Sequence, residues 1–252
     1  MLPVDSICVV ASDLSAAGRL NEAGIVAKSA INIDEAFLFL LDSAIDRPGL
    51  KDKLSSAGYT KVFETFYFPT ECPTDVRTRL VRSLFSYIEK SYESYVDPAR
   101  NIACYEMLFQ LASNVTASGS IDLLDFGCGT GLIQATKIPR VAHTLVGYDF
   151  SEPMRRNAEK HGLSVIESLE GNASLKYDVI LASFVLHLGI DGPTMAQLIS
   201  LLRDGGVFVA NFHKDMFLHE TVEMLRRNTD DPVSIKLTPS GFGTAMIAQR
   251  TL

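Results

Sequence analysis

From Ile121 to the C-terminus, apolar runs of strand length alternate with longer stretches in which apolar positions return every three or four residues. A short, continuously apolar run suits a strand buried on both faces, and the three-and-four spacing suits an amphipathic helix. The pattern predicts strands over Ile121–Phe126, 144–148, 164–166, Tyr177–Ala182 and 206–211. Helices fit between them. Ser151 can cap one that ends near Lys160 with Gly162 just beyond, and Asp191 can cap another in which Met195, Leu198, Ile199 and Leu202 share a face. A last helix over 214–228 precedes 233–237 and 245–248, which read as a closing antiparallel hairpin. Strand and helix in alternation predict an α/β fold: a doubly wound, mainly parallel, seven-stranded sheet with that hairpin at its end.

Residues 1–115 lack this rhythm and read as mostly helical. The clearest stripe lies in 78–95, where Leu80, Val81, Leu84, Phe85, Ile88, Tyr92 and Tyr95 recur at helical intervals. A second helix is expected over 33–45, with Phe37, Leu40, Leu41 and Ile45 on one side and Arg47, Pro48 and Gly49 breaking it. Asp97 and Pro98 read as the cap and first turn of a helix running through Cys104, Leu108 and Leu111. The expected organisation is a helical lobe over 1–95, serving as a lid or as the contact of a homodimer, followed by the main domain over 96–252.

Composition narrows the functions. The chain has 252 residues, 47% hydrophobic and 21% charged, enough to bury a sizeable core. Its net charge of -7 and lack of a basic run argue against a nucleic-acid partner. The four cysteines, at 8, 72, 104 and 128, form no C-x-x-C pair and no metal-ligand spacing with histidine, so free thiols and no metal are expected. With an acid at position 5, no basic leader and no span-length apolar run, no membrane association is expected and the cytoplasm is the expected location.

The most specific signal follows the strand Ile121–Phe126, where Asp125 leads into Gly127, Cys128, Gly129, Thr130 and Gly131. Glycines at alternate positions let the backbone turn tightly and lie close to a ligand. A dinucleotide loop instead places its third glycine three residues after the second, and that position holds Leu132. The stretch D-F-G-C-G-T-G resembles the first motif of class I S-adenosylmethionine-dependent methyltransferases. G-Y-D-F-S-E-P-M, from Gly147 to Met154, resembles the second motif, the run from Tyr177 to Phe184 the strand-four motif, and L-L-R-D-G-G, from Leu201 to Gly206, the turn into strand five.

The resemblance covers about 97–252 and implies a Rossmann-like methyltransferase domain with S-adenosylmethionine as cofactor. Carried over by position, it sets Asp125, Gly127, Cys128 and Gly129 beside the methionine part, with Asp149 on the ribose and Phe150 and Met154 flanking the adenine. Thr130, Gly131, Ser183 and Phe184 complete the implied cofactor set. The family often has an acid after strand three that bonds the adenine amino group, and Glu167 and Glu170 are the acids available there.

Methyl transfer is an in-line displacement in which alignment matters most, and a base is needed only if the acceptor holds its proton. His187 after strand four is the best-placed base and His213 after strand five the second, against the plainer reading of a histidine bonded to a backbone carbonyl. Tyr87, Tyr92, Tyr95 and Tyr105 lie in the helical part that could cover the pocket, with core packing the expected use of most of them, and no partner is identified for His143, His161 or His219. The expected activity is O- or N-methylation of a small, partly apolar molecule. The alternatives are a fold-retaining protein that binds the cofactor without transfer, and a methyltransferase acting on a protein. A nicotinamide oxidoreductase is disfavoured by Leu132 and the terminal hairpin.

Overall fold

The computed structural model describes residues 92–116, 119–170, 175–215, 217–227 and 231–251, with shorter stretches between 7 and 89. Contacts within the chain divide it into Met1–Val81 and Arg82–Leu252. The first unit holds strands β1 (Ile7–Val10), β2 (Ala27–Lys28), β3 (Leu38–Leu41), β4 (Tyr59–Lys61) and β5 (Phe66–Pro69) in the order β2-β1-β3-β5-β4. β1 runs parallel to β2 and β3, while β5 runs antiparallel to β3 and β4.

This sheet corrects the expectation of a mostly helical N-terminal lobe. The helix expected over 33–45 contains a strand, because Phe37 to Leu41 is an uninterrupted apolar run and such a run satisfies a strand paired on both edges as well as a helix face. The rest of that candidate, including Phe37, Ile45 and the break at 47–49, lies outside the described residues, as do Leu80 and Tyr87. The stripe over 78–95 is helical at 78, 81, 82, 84, 85 and 88, with Val81, Leu84 and Ile88 buried, and a short helical turn follows over Tyr92–Tyr95.

The second unit is a seven-stranded sheet of β6 (Ile121–Phe126), β7 (Ala142–Tyr148), β8 (Ser164–Val165), β9 (Tyr177–Ala182), β10 (Leu202–Phe212), β11 (Val233–Ser240) and β12 (Gly243–Arg250). Their order is β11-β12-β10-β9-β6-β7-β8, parallel from β10 to β8 and antiparallel on both sides of β12. The doubly wound sheet with its closing hairpin is therefore as the sequence predicts. Only the outermost residues differ, β7, β10, β11 and β12 being longer and β8 one residue shorter than expected.

Among the described residues, four helices longer than the turn Tyr92–Tyr95 cover the sheet: α1 (Pro98–Ser113), α2 (Glu152–Lys160), α3 (Gly192–Ser200) and α4 (Leu218–Arg227). The first three begin alike. The side chain of Asp97, Ser151 or Asp191 accepts a backbone N–H from the first turn, and a proline stands at the first or second helical position. Alternation along the strands feeds two cores. Leu124, Ile180, Phe208 and Ala210 face α3 and α4 residues such as Leu198 and Leu225, whereas Leu123, Val179, Leu181 and Val209 join Cys104 and Leu108 of α1. At the amino ends of the strands Arg203 bridges Asp122 and Asp178, and His143 also bonds Asp122, which ties β6, β7, β9 and β10 together. Among the described residues no helix is long and apolar enough to cross a membrane.

Candidate cofactor and acceptor site

Winding reverses between β6 and β9, which run side by side in parallel and lead outward to opposite edges of the sheet. In open α/β sheets the crevice at the carboxyl ends of such strands is where ligands sit. There the loop after β6 meets the ends of β7, β9 and β10. The N–H groups of Gly127 and Cys128 both donate to the Tyr148 carbonyl, at 2.7 and 3.0 Å, which anchors the loop to β7. Gly127, Gly129 and Gly131 all adopt positive φ. His161, at the end of α2, donates from Nδ1 to the Thr130 carbonyl at 2.7 Å. The Cys128 thiol packs into the core, and burial pushes its pKa up, so this residue offers the crevice only its main chain.

Two carboxylates stand beside the loop. Asp149 accepts the Gly129 N–H at 3.0 Å and the Ser151 N–H at 2.8 Å, leaving Ser151 to cap α2. Burial raises its pKa to about 6, against those two N–H bonds, which lower it. Asp125 is fully buried and accepts the Tyr105 hydroxyl at 3.1 Å through Oδ2, while Oδ1 has no hydrogen-bond partner. Burial raises the Asp125 pKa to about 8. The Tyr92 hydroxyl lies over the open face of Gly129, 3.5 Å from where a Cβ would stand, and its pKa is raised by burial and then by Asp149 and Asp125.

A carboxyl group whose folded pKa lies above its unfolded value near 3.9 stabilises the fold fully below that value and loses this contribution as pH rises through the folded pKa. The cofactor-free protein is therefore expected to lose stability between pH 4 and pH 9, with Asp125 as the main source. In Asp125→Asn much of that loss should vanish, leaving the variant more stable than wild type at pH 9 by about 1 kcal/mol or more. Urea denaturation at several pH values checks this. Equal stability of the two proteins at pH 9 would contradict the assignment.

The orphaned Asp125 Oδ1 and the partnerless, buried Thr130 Oγ1 give a polar ligand groups to bond, and the glycine loop gives it bare backbone to lie on. The residues present thus fit the cofactor that the sequence motifs imply. Phe150 is half-buried, its ring edge-on to Phe126 at 5.8 Å and to Tyr148 at 5.7 Å. Met154 is fully buried, and Glu167 and Glu170 are exposed.

On the other side of the crevice, Ser183 is buried close to the Cys104 thiol, and Phe184 adopts φ 55°, a strained value for a residue with a side chain. Asn211, wholly buried on β10, holds it there: Oδ1 accepts the Phe184 N–H at 2.7 Å while Nδ2 donates to the Phe242 carbonyl at 3.2 Å. The Phe184 ring meets His213 at 5.8 Å and Phe242 at 6.3 Å, and the Arg100 guanidinium lies 5.5 Å from its centroid. His187 and His213 are brought edge to face at 4.6 Å, each with an Nδ1 that has no hydrogen-bond partner. Burial, His213 and Lys214 push the His187 pKa down to about 3, and burial, Lys214 and Arg100 lower that of His213.

Sequence reading missed His161, Asn211 and Arg100, and it set Tyr92 and Tyr105 in the part that could cover the pocket without finding their partners. Each acts on a residue remote in the chain, as Tyr105 does on Asp125 and Asn211 on Phe184, so no local spacing records the pairing. His143 and His161, without identified partners in the sequence, bond Asp122 and the Thr130 carbonyl.

A family model described as a methyltransferase domain matches residues 99–229, just over half of the chain. No curated protein sequence matches. Among solved structures, the chain is similar to the plantazolicin methyltransferase BpumL in complex with S-adenosylhomocysteine, at 16% identity and a TM-score of 0.53 over 70% of this chain and 95% of that one. It also matches the magnesium protoporphyrin IX methyltransferase ChlM of Synechocystis PCC 6803, at 17% identity and a TM-score of 0.45 over 69% and 96% of the two chains. A third match is a ribosomal protein L11 methylase of Lactobacillus delbrueckii subsp. bulgaricus, at 17% identity and a TM-score of 0.47 over 58% and 79%.

Proposed function

The chain belongs to the methyltransferase-domain family, whose methyl donor is S-adenosylmethionine, and on that premise we propose that it methylates a small molecule held against Phe184 and Phe242. The observation that carries this reading is the pair of histidine rings, buried His187 and half-buried His213, with centroids 4.6 Å apart at the same end of the sheet as the glycine loop. When bound, S-adenosylmethionine supplies a methyl group already made electrophilic by its sulfonium.

The protein's own part is to hold and align. A carboxylate has about four lone-pair positions, so Asp149 can accept ribose hydroxyls while keeping both backbone N–H bonds. The free Oδ1 of Asp125 suits the ammonium of the methionine part, with Tyr105 fixing the carboxylate's orientation. Gly127, Gly129 and Gly131 leave room along the main chain. The turn at Ser183 and Phe184, clamped by Asn211, divides the cofactor side from the acceptor side. Tyr92 over Gly129 supports a lid role for the segment leading into α1.

Of the two histidines, His213 is the better base. His187, at about 3, is too weak a base to take a proton readily at neutral pH, whereas His213 is half-buried and less depressed. His187 then positions the His213 ring. For an acceptor that gives up a proton, His213→Gln is expected to lower kcat by roughly 100-fold or more with S-adenosylhomocysteine affinity unchanged. The acid limb of the wild-type kcat profile should fall below about pH 6.5, the ordinary histidine value. A transfer assay with labelled methyl donor, run over a small-molecule panel and in parallel on protein extract, tests the reading. Label entering protein alone, or full kcat in His213→Gln, would overturn it.

A further inference from the structure

The acceptor side of the crevice gathers positive charge in a chain whose net charge is -7. Arg100, in the first turn of α1, lies over the face of Phe184, and the Arg100 and Lys214 charges both act on His213, which touches the same ring. Arg100 forms no ion pair with a carboxylate among the described residues. The Asp97 side chain takes the Arg100 backbone N–H at 3.1 Å, and Asp215 is engaged by the Thr244 hydroxyl. A guanidinium that rests on an aromatic face keeps its planar fork of donors available, and that fork matches a carboxylate in two-pronged geometry. Three rings, Phe184, His213 and Phe242, meet beside it. His187, 3% exposed, closes the cluster with a partnerless Nδ1.

We propose that the methyl acceptor is a hydroxylated aromatic carboxylate, its carboxylate paired with Arg100 and its ring packed on Phe184 and Phe242, so that its hydroxyl oxygen would take the methyl group, its proton would pass to His213 and S-adenosylhomocysteine would leave. The proposal rests on the methyl-transfer reading above and names the acceptor class for the same site. An amine at this place would meet Arg100 as a like charge. A neutral amide would take fewer and weaker bonds from the guanidinium, since charge-assisted pairs are roughly twice as strong as neutral ones. The two histidines stay neutral beside these cations, so a carboxylate does not have to be shared with an imidazolium.

Calorimetric titration of protein saturated with S-adenosylhomocysteine tests this with three probes of one size: para-hydroxybenzoate, para-hydroxybenzamide and tyramine. Para-hydroxybenzoate is expected to bind roughly tenfold more tightly than the amide, with tyramine weakest. In Arg100→Gln the benzoate and the amide should become equal, and Arg100→Lys should restore part of the difference. Phe184→Leu should weaken the benzoate and the amide alike and preserve their ratio. The proposal is overturned if the amide or amine binds as well as the acid, if the acid's advantage survives Arg100→Gln, or if no acid binds at millimolar concentration. S-adenosylhomocysteine affinity, measured first in each protein, separates the two readings. Its absence from wild type would sink the methyl-transfer reading, and the same probe series on cofactor-free protein would then judge Arg100 alone.

Discussion

Asp149→Ala is expected to reduce S-adenosylhomocysteine affinity by roughly 100-fold or more while changing stability little. One carboxylate holds Gly129 N–H and Ser151 N–H, so it fixes the glycine loop and the start of α2, and its remaining lone pairs are the acceptors proposed for a ribose. Hydrogen bonds to a charged group contribute about 1.5 to 3 kcal/mol each, and losing two toward the ligand corresponds to at least two decades of affinity. The fold loses less, because the carboxylate is costly to bury: its pKa stands at about 6, above the ordinary carboxyl range. Removing the charge offsets part of what the freed N–H groups lose. Asp149→Asn, which keeps one acceptor oxygen, should fall between alanine and wild type. In the wild type, affinity should rise with pH through about 6 as Asp149 ionises and again through about 8 as Asp125 does, since the proposed pairing of ribose with Asp149 and ammonium with Asp125 favours both ionised forms. Titration calorimetry across this range, with thermal melts of the same proteins, gives both quantities. An Asp149→Ala affinity within threefold of wild type would remove Asp149 from the cofactor site.

Gly127→Ala is expected to be the most damaging methyl-sized change in the loop, costing roughly 2 to 4 kcal/mol. Gly127 has φ 76°, where a side chain is strained, and a Cβ there would stand 2.3 Å from Val185 Cγ2 and 3.2 Å from Cγ1. The whole isopropyl group would have to move. Val185 has little freedom, since it follows Phe184, held by Asn211, and precedes the buried turn Leu186–Leu188. Gly162→Ala is the control: its φ is 85° but nothing lies within 4 Å of an added Cβ, so only the conformational part, about 1 kcal/mol, should appear. Urea denaturation of the two variants should therefore differ by a clear margin. Equal losses would mean that Val185 yields freely and that β6 and β9 are less rigidly coupled than their contact implies.

Much of the second unit could be read in advance because local chemistry and tertiary need agree there. Asp97, Ser151 and Asp191 each precede a proline and an amphipathic stretch, and each caps a helix. The runs Ile121–Phe126 and Tyr177–Ala182 send apolar residues to both faces because helices cover both sides of the sheet. In the N-terminal part that agreement fails. Leu38–Leu41 is apolar without interruption, which leaves period two and period 3.6 indistinguishable, and pairing with Ile7–Val10 and Phe66–Pro69 decides the matter.

The sequence by itself determined the doubly wound sheet, the glycine loop, the acid at the end of β7 and the family to which they belong, because each is written in neighbouring residues. Only the tertiary structure decided which groups act on one another across the crevice: Tyr105 on Asp125, Asn211 on Phe184, Arg100 on the same ring, and His213 beside His187. It also made His187 the weaker base, since burial sets a pKa and burial belongs to the fold. Strand and helix periods and caps depend on residues a few positions apart. Charge, desolvation and contact depend on distance in space, which chain spacing does not encode.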